Sequence, residues 1–212
     1  MTSHLDRRAR FSRSFTVRAE LRAGDSGSTT LDGYASVTGS PYSVRDWLGE
    51  YDETIERGAF AKTLREKDDV RLLLNHDGLP LARTSSGTMT LEEDDQGLRV
   101  VAELDRRSSL VNDVAVAMER GDLTEMSFAF SATRQEWNED YTERFIREVK
   151  LYDVSVVTYP ANPATTVKLR AADLETMPDD ELRELVARAQ RRLAPRLDAQ
   201  ALAGLRAAID LA

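Results

Sequence analysis

The chain has 212 residues, a hydrophobic fraction of 41%, a charged fraction of 31% and a net charge of −8, values typical of a globular protein with one main core. It contains no cysteine, which excludes disulfides, a thiolate nucleophile and a Cys-ligated zinc site. No apolar run approaches the roughly 20 residues of a membrane helix, and the polar N-terminus lacks the apolar segment of a secretory signal, so we expect a cytoplasmic protein.

The charge is unevenly distributed along the chain. Residues 1–22 carry six Arg and a net charge of +4, residues 23–170 carry −10, and residues 171–212 carry −2. An acidic body disfavours a nucleic-acid groove, and the basic arm is expected to be a solvated tail. We therefore predict an arm with the first strand over residues 1–22, a core over residues 23–170 and a helical tail over residues 171–212, with no specific nucleic-acid partner and no membrane partner.

Hydrophobic periodicity predicts a chain made mostly of strands. Gly97 closes a polar turn that indicates a β-hairpin, and Ser108 or Ser109 is expected to cap a helix that stops at Gly121. Two segments, residues 38–51 and 79–87, are predicted to be loops. In chain order, the predicted strands are 14–22, 31–37, 70–75, 88–92, 98–104, 124–131 and 145–158, and the predicted helices are 57–67, 108–121, 182–193 and 202–209.

About seven strands with two helices in the body indicate a mainly β fold with additional helices. We predict a closed or nearly closed antiparallel β-barrel with helices packed outside it, followed by the helical tail. No internal repeat or low-complexity segment is present.

Histidine is scarce, because only His4 and His76 occur and His4 lies in the arm. His76 follows an apolar strand and is the one imidazole of the core that can act as a general base. The alternative is a partly exposed histidine hydrogen-bonded by Asn75 or Asp77. One usable histidine among scattered carboxylates lacks the spacing of a hydrolytic zinc centre, and glycine-rich phosphate loops are absent, so no metal and no cofactor is expected.

Ser127 lies inside the apolar run from Thr124 to Ser131. If this run is a strand, its bulky residues face the core at alternate positions. The small residues around Ser127 then leave the clearing that a nucleophile needs to approach a substrate carbonyl. The alternative is a small polar residue on the open face of a barrel, and this interpretation applies equally to Ser131 and Ser155.

A second serine motif, Gly24-Asp25-Ser26-Gly27, is similar to the nucleophile motif of chymotrypsin-type proteases. Those enzymes need a His and an Asp well upstream, where this chain has only His4 and Asp6 in the arm. We therefore predict that the segment is a flexible turn.

Asp153 is the exceptional residue of its predicted strand. Its side chain points to a largely apolar face, where an unpaired carboxylate is costly. A partner is therefore required, either His76, whose charged form a carboxylate stabilises, or an Arg. Glu148 lies on the opposite face beside Lys150, where an ordinary surface ion pair is the simpler account.

Five motifs follow one another along the chain: Leu74-Asn75-His76-Asp77, Leu81 to Gly87, Gly97-Leu98, Glu125 to Phe130, and Asp153 to Pro163. Taken in this order, they resemble the prohead maturation proteases of tailed bacteriophages with HK97-type capsids. The similarity extends from about Gly33 to Lys168. That family is similar in fold to the herpesvirus assemblin proteases, which are β-barrels with outer helices.

The resemblance implies a serine endopeptidase with Ser127 as the nucleophile and His76 as the general base. Family members commonly carry Glu where this chain has Asp153, so Asp153 is the expected third member and Glu148 is the fallback. Acyl transfer would proceed through an oxyanion held by backbone N–H groups.

The resemblance also implies where the enzyme acts. Its substrates would be segments of the major capsid precursor or scaffold and the protease itself, inside the assembling prohead in the host bacterial cytoplasm. Self-removal would suit exposed termini such as residues 1–13 and the 171–212 tail, and the assemblin relatives imply a possible homodimer. The alternative from another class is a catalytically idle capsid-assembly or scaffolding factor whose amphipathic tail binds coat protein.

Overall fold

The computed structural model describes residues 11–15, 19–23, 28–46, 49–159 and 178–193. This part is mainly β with few helices, which confirms the predicted class. Its strands are β1 (Phe11–Phe15), β2 (Glu20–Ala23), β3 (Ser28–Val37), β4 (Tyr42–Asp46), β5 (Gly49–Ile55), β6 (Arg71–Leu74), β7 (Asp77–Arg83), β8 (Met89–Glu93), β9 (Gly97–Asp105), β10 (Glu125–Trp137) and β11 (Glu143–Val157), and its helices are α1 (Ala61–Glu66), α2 (Ser109–Arg120) and α3 (Asp179–Leu193).

The larger sheet has seven strands and is built around the long antiparallel pair β10 and β11. β1 lies on the free side of β10. On the other side, β11 pairs in parallel with β5 near its start and with β6 near its end. β4 extends the sheet from β5, and β7 extends it from β6. The prediction of an entirely antiparallel arrangement is therefore wrong at the two parallel pairs.

The smaller sheet has four antiparallel strands in the order β2-β3-β9-β8. Its β8–β9 hairpin confirms the predicted turn, in which the Asp94 Oδ1 atom accepts hydrogen bonds from the backbone N–H groups of Gln96 and Gly97 at 2.8 and 3.1 Å. A Cβ atom at Gly97 would lie 2.0 Å from the Ser36 carbonyl oxygen, so only glycine fits. Within the described residues the strands form two separate sheets, and the closure into one barrel is not confirmed.

The core lies between the two sheets and under the helices. Phe128 stacks on Phe130 with ring centroids 4.8 Å apart and meets Phe60 edge-on at 5.5 Å. Burying an aromatic side chain of this size stabilises the fold by about 1.5–3 kcal/mol. Helix α2 has the predicted ends, since the Ser108 Oγ accepts from the Val111 N–H at 3.4 Å and Gly121 takes a φ of 80°. None of the helices in the described ranges combines the length and the apolar character that a membrane crossing requires.

The structure differs from the predicted elements most at the N-terminus, at the two predicted loops and at β10, which continues to Trp137 instead of ending at Ser131. The predicted first strand is two strands, β1 and β2, and β1 begins inside the segment predicted to be a solvated arm. The predicted loop over residues 38–51 contains β4 and the start of β5, and the predicted loop over residues 79–87 begins with most of β7. The predicted Gly24–Gly27 turn and the predicted helix over residues 202–209 lie outside the described residues.

Candidate active site

Ser127 lies in the middle of β10, between Ser14 of β1 and Ser155 of β11 in the register of the sheet. Its bulky neighbours at positions 126, 128 and 130 are in the core, as the alternation predicts. The exposed fraction of Ser127 is 0%. The face of β10 that was predicted to be a clearing is therefore covered in this structure.

His76 lies in the two-residue turn between β6 and β7, where Leu74 pairs with Asp77. Asn75 and His76 have φ angles of 53° and 61°, the positive values of type I′ hairpin turns. The backbone N–H of Asn75 donates to the Val156 carbonyl at 3.0 Å. These contacts fix the imidazole above the end of β11, as the prediction of a strand-end histidine requires.

The structure brings His76, Asp153 and Ser127 into one chain of hydrogen bonds. His76 Nδ1 is 2.5 Å from Asp153 Oδ1, and His76 Nε2 is 2.7 Å from Ser127 Oγ. An ionised carboxylate only accepts hydrogen bonds, so Nδ1 carries the proton and the lone pair of Nε2 faces the serine. This is the arrangement of a Ser-His-Asp triad.

Ser155 contacts both members of the His–Asp pair and is fully buried. Its hydroxyl donates to Asp153 Oδ1 at 3.1 Å, and its oxygen accepts from the backbone N–H of His76 at 3.2 Å. From the sequence, Ser155 was interpreted only as a further small polar residue on the strand. The signal was its place two residues after Asp153, which puts both side chains on the same face of the strand.

Glu148 is held elsewhere. It accepts hydrogen bonds from Thr133 Oγ1 at 2.7 Å and from Lys62 Nζ at 3.0 Å. These two hydrogen bonds lower the pKa of the Glu148 carboxyl below its ordinary value. Glu148 therefore forms an ion pair with Lys62, whereas the sequence suggested an ion pair beside Lys150.

Strand β1 supplies two contacts that sequence analysis missed. Ser12 Oγ lies 2.7 Å from His76 Nε2 and 3.2 Å from Ser127 Oγ. Ser127 Oγ also donates to the backbone carbonyl oxygen of Arg13 at 2.8 Å. The available signal was the sequence Phe11-Ser12-Arg13-Ser14-Phe15, whose alternation extends the period of the predicted first strand toward the N-terminus.

The side chain of Arg13 enters a buried ionic cluster around Glu53 of β5. Arg13 Nε and Nη2 donate to the two carboxylate oxygens of Glu53 at 2.6 and 3.2 Å. Arg144 Nη1 donates at 2.8 Å and Tyr42 Oη at 2.5 Å. Burial raises the pKa of Glu53, but the charges of Arg13 and Arg144 outweigh burial and lower the pKa to about 2, so Glu53 is ionised.

A cavity of about 380 Å³ lies beside the His–Asp pair. His76 and Asp153 line it together with Leu73 and Tyr152, and charged side chains surround its rim. The side chain of His76 is 23% exposed. Solvent therefore reaches the imidazole, although Ser127 is covered.

Comparison with known proteins places the chain in a family. The sequence profile of the caudovirus prohead serine proteases matches residues 14–180. The chain belongs to this family of serine proteases. The prohead protease of Enterobacteria phage HK97 is 31% identical to this protease over 164 residues, which cover 74% of this chain and 68% of the relative. The resemblance predicted from the motifs is confirmed. No solved structure matches the protease.

Proposed function

We propose that this serine protease is an endopeptidase of phage prohead maturation that cleaves segments of the major capsid precursor or scaffold, and also its own chain, inside the assembling prohead in the host bacterial cytoplasm. The family description and the name of the HK97 relative support a role at the prohead. The observation that carries the catalytic part of the proposal is the hydrogen-bonded chain from Ser127 through His76 to Asp153.

In the proposed first step, Ser127 attacks the carbonyl carbon of a substrate peptide bond. The serine proton passes to His76 Nε2, the bond from Oγ to carbon forms, and Asp153 stabilises the imidazolium through Nδ1–H. When the intermediate collapses, the carbon–nitrogen bond breaks and His76 returns the proton to the leaving amine. The product of this step is an acyl-enzyme on Ser127.

In the second step, water replaces the amine. His76 Nε2 takes a proton from the water as its oxygen attacks the acyl carbon, and the proton then returns to Ser127 Oγ as the carboxylic acid leaves. The same base serves both steps because the leaving amine has already removed the first proton. In both steps Asp153 keeps the His76 ring oriented through Nδ1–H.

Strand β1 must move away from β10 before a substrate can reach Ser127. With β1 in place, Ser127 is 0% exposed and its hydroxyl is directed to the Arg13 carbonyl oxygen. A substrate carbonyl therefore has to occupy the position that Arg13 holds. This requires the separation of β1 from β10.

Co-expression with the coat precursor tests the proposed function. Wild-type protease and the control Ser131→Ala, a buried serine that bonds Tyr152, are expected to give shortened coat protein. Ser127→Ala is expected to leave the coat full-length and its own chain uncut, as measured by intact mass. Unchanged processing by Ser127→Ala would reject the assignment and favour the idle assembly factor.

We also propose a homodimer, and this proposal depends only on the resemblance to the assemblins. Sedimentation equilibrium of Ser127→Ala, which cannot degrade itself under the proposed mechanism, gives the mass of the assembly. A monomer at all concentrations would reject the dimer and leave the catalytic proposal unaffected.

A further inference from the structure

We infer that Glu53 forms a subsite for an Arg or Lys side chain on the residue that precedes the scissile bond, so that this protease cuts after basic residues. The inference rests on the proposed function and names the substrate class of that same site. Its evidence is the way in which β1 occupies the site.

β1 lies where a substrate strand is expected to lie. It is extended, it pairs antiparallel with β10, and its register places Ser14 opposite Ser127. Among the described residues, the backbone carbonyl bonded to the Ser127 hydroxyl is that of Arg13, at 2.8 Å. A serine peptidase attacks the carbonyl of the residue before the scissile bond. Arg13 therefore corresponds to that residue of a substrate.

The side chain of Arg13 shows which chemistry this position accepts. Only 8% of Arg13 is exposed, and its guanidinium forms a bidentate ion pair with Glu53. The ring of Phe130 on β10 lies 5.9 Å from the guanidinium carbon, within the range of cation–π attraction, whereas the ring of Phe11, at 5.5 Å, belongs to β1 itself. A guanidinium fits this site because its charge pairs with the Glu53 carboxylate and its flat face packs against an aromatic ring.

Glu53 keeps two hydrogen-bond donors without Arg13. It is 0% exposed on β5, and Tyr42 Oη and Arg144 Nη1 donate to its carboxylate. When β1 leaves, the Glu53 carboxylate therefore keeps Arg144 and Tyr42 as partners and has one face open to a cationic side chain of a substrate. A neutral side chain entering there would leave that face of the carboxylate without a donor, and an acidic one would be repelled.

The contact between β1 and Ser127 is not itself an attack geometry. The serine hydroxyl donates to the oxygen of the Arg13 carbonyl, whereas cleavage requires its oxygen to approach the carbonyl carbon. Strand β1 thus fills the subsite and covers the nucleophile. A substrate with a basic residue at this position competes for the same carboxylate.

Competition between short peptides tests the subsite. The peptides carry residues 11–17, Phe-Ser-Arg-Ser-Phe-Thr-Val, with Arg, Lys, Ala or Glu at the position of Arg13, and kcat/KM is measured for pairs in one reaction. We expect cleavage after Arg or Lys at least about a hundredfold faster than after Ala, and slowest after Glu. In Glu53→Gln the preference should fall below about tenfold, whereas Glu50→Gln, an exposed carboxylate on the same strand, should keep it.

Labelling of Ser127 by a fluorophosphonate gives a second result that does not depend on the folding of Glu53→Gln or on any peptide being cut. If the subsite holds β1 over Ser127, Arg13→Ala in the full chain should label at least about tenfold faster than wild type, because both charged hydrogen bonds to Glu53 are lost. Arg13→Lys should label more slowly than Arg13→Ala, and Arg22→Ala, an exposed arginine of β2, should label at the wild-type rate.

The outcomes separate this inference from the proposed function. Equal cleavage after Arg and Ala by wild type, with Ser127→Ala inactive, would overturn the subsite and leave the serine peptidase intact. Equal labelling of wild type and Arg13→Ala would also overturn it. The absence of both cleavage and labelling in every variant would overturn the proposed function and the subsite with it.

Discussion

Ser12 and Ser127 both lie 2.7 Å from Nε2 of His76. A neutral imidazole has one lone pair at Nε2, so only one of the two hydroxyls can donate to it fully at a time. Ser127 has a second acceptor in the Arg13 carbonyl oxygen. While β1 is present, Ser127 and Ser12 therefore compete for Nε2 of His76, and we expect the departure of β1 to leave Nε2 to Ser127.

Ser155 is expected to position the base without contacting substrate. Its hydroxyl contacts Asp153 and the backbone of His76, so Ser155→Ala removes two hydrogen bonds that orient the pair. We expect kcat on a peptide to fall about thirtyfold with KM nearly unchanged, since the two bonds contribute roughly 1 kcal/mol each. Ser131→Ala is the matched control. A fall caused by a higher KM would show that Ser155 acts on substrate binding.

The β6–β7 turn holds His76 in a left-handed backbone conformation. Asn75 suits this position because asparagine tolerates positive φ, and its side chain bonds Thr158 twice, donating to Oγ1 at 3.0 Å and accepting from the backbone N–H at 2.9 Å. The turn is therefore tied to the residue that follows β11. His76 keeps its place above Asp153 through this attachment.

Substitutions of Asn75 separate the contribution of its hydrogen bonds to Thr158 from the contribution of its tolerance of positive φ. Asn75→Gly removes the bonds to Thr158 but keeps the positive φ at no steric cost, whereas Asn75→Ala removes the bonds and adds strain. We expect Asn75→Ala to lower the free energy of unfolding by about 1 kcal/mol more than Asn75→Gly, measured by urea unfolding. Equal losses would mean that the turn relaxes to another conformation.

For the whole molecule, the Glu53 cluster ties β1, β5 and β11 together through Arg13 and Arg144. The net lowering of the Glu53 pKa from 4.5 to about 2 means that folding favours the ionised carboxylate. The stability from this ionisation is fully present above pH 4.5 and is lost as the pH falls toward 2.

Acid titration of stability checks this contribution. The free energy of unfolding is expected to decrease as the pH falls from 5 to about 2.5, and the decrease should be smaller in Arg13→Ala, where Glu53 keeps only Arg144 as an ionic partner. Urea unfolding at several pH values measures both slopes. A wild-type stability that is constant or rises in this window would contradict the account.

Much of the site follows from the sequence because its members violate local patterns. Asp153 is a charge on an apolar strand face, His76 is the one core histidine, and Ser127 is a small residue among bulky ones. β4, β5 and β7 were missed because their exposed polar residues weaken the two-residue period that marks a strand. Glu53 carries no local signal, since its partners Arg13 and Arg144 are distant in sequence and only the fold brings them together.

The ratio of kcat/KM between Asp153→Asn and Glu148→Gln on one cleavable peptide shows which carboxylate is the acidic member of the proposed triad. Asp153 bonds Nδ1 of His76, whereas Glu148 bonds Lys62 and Thr133. The account predicts a loss of about 10³- to 10⁴-fold in Asp153→Asn and nearly wild-type activity in Glu148→Gln. The reverse order would contradict the proposed triad and move its acidic member to Glu148.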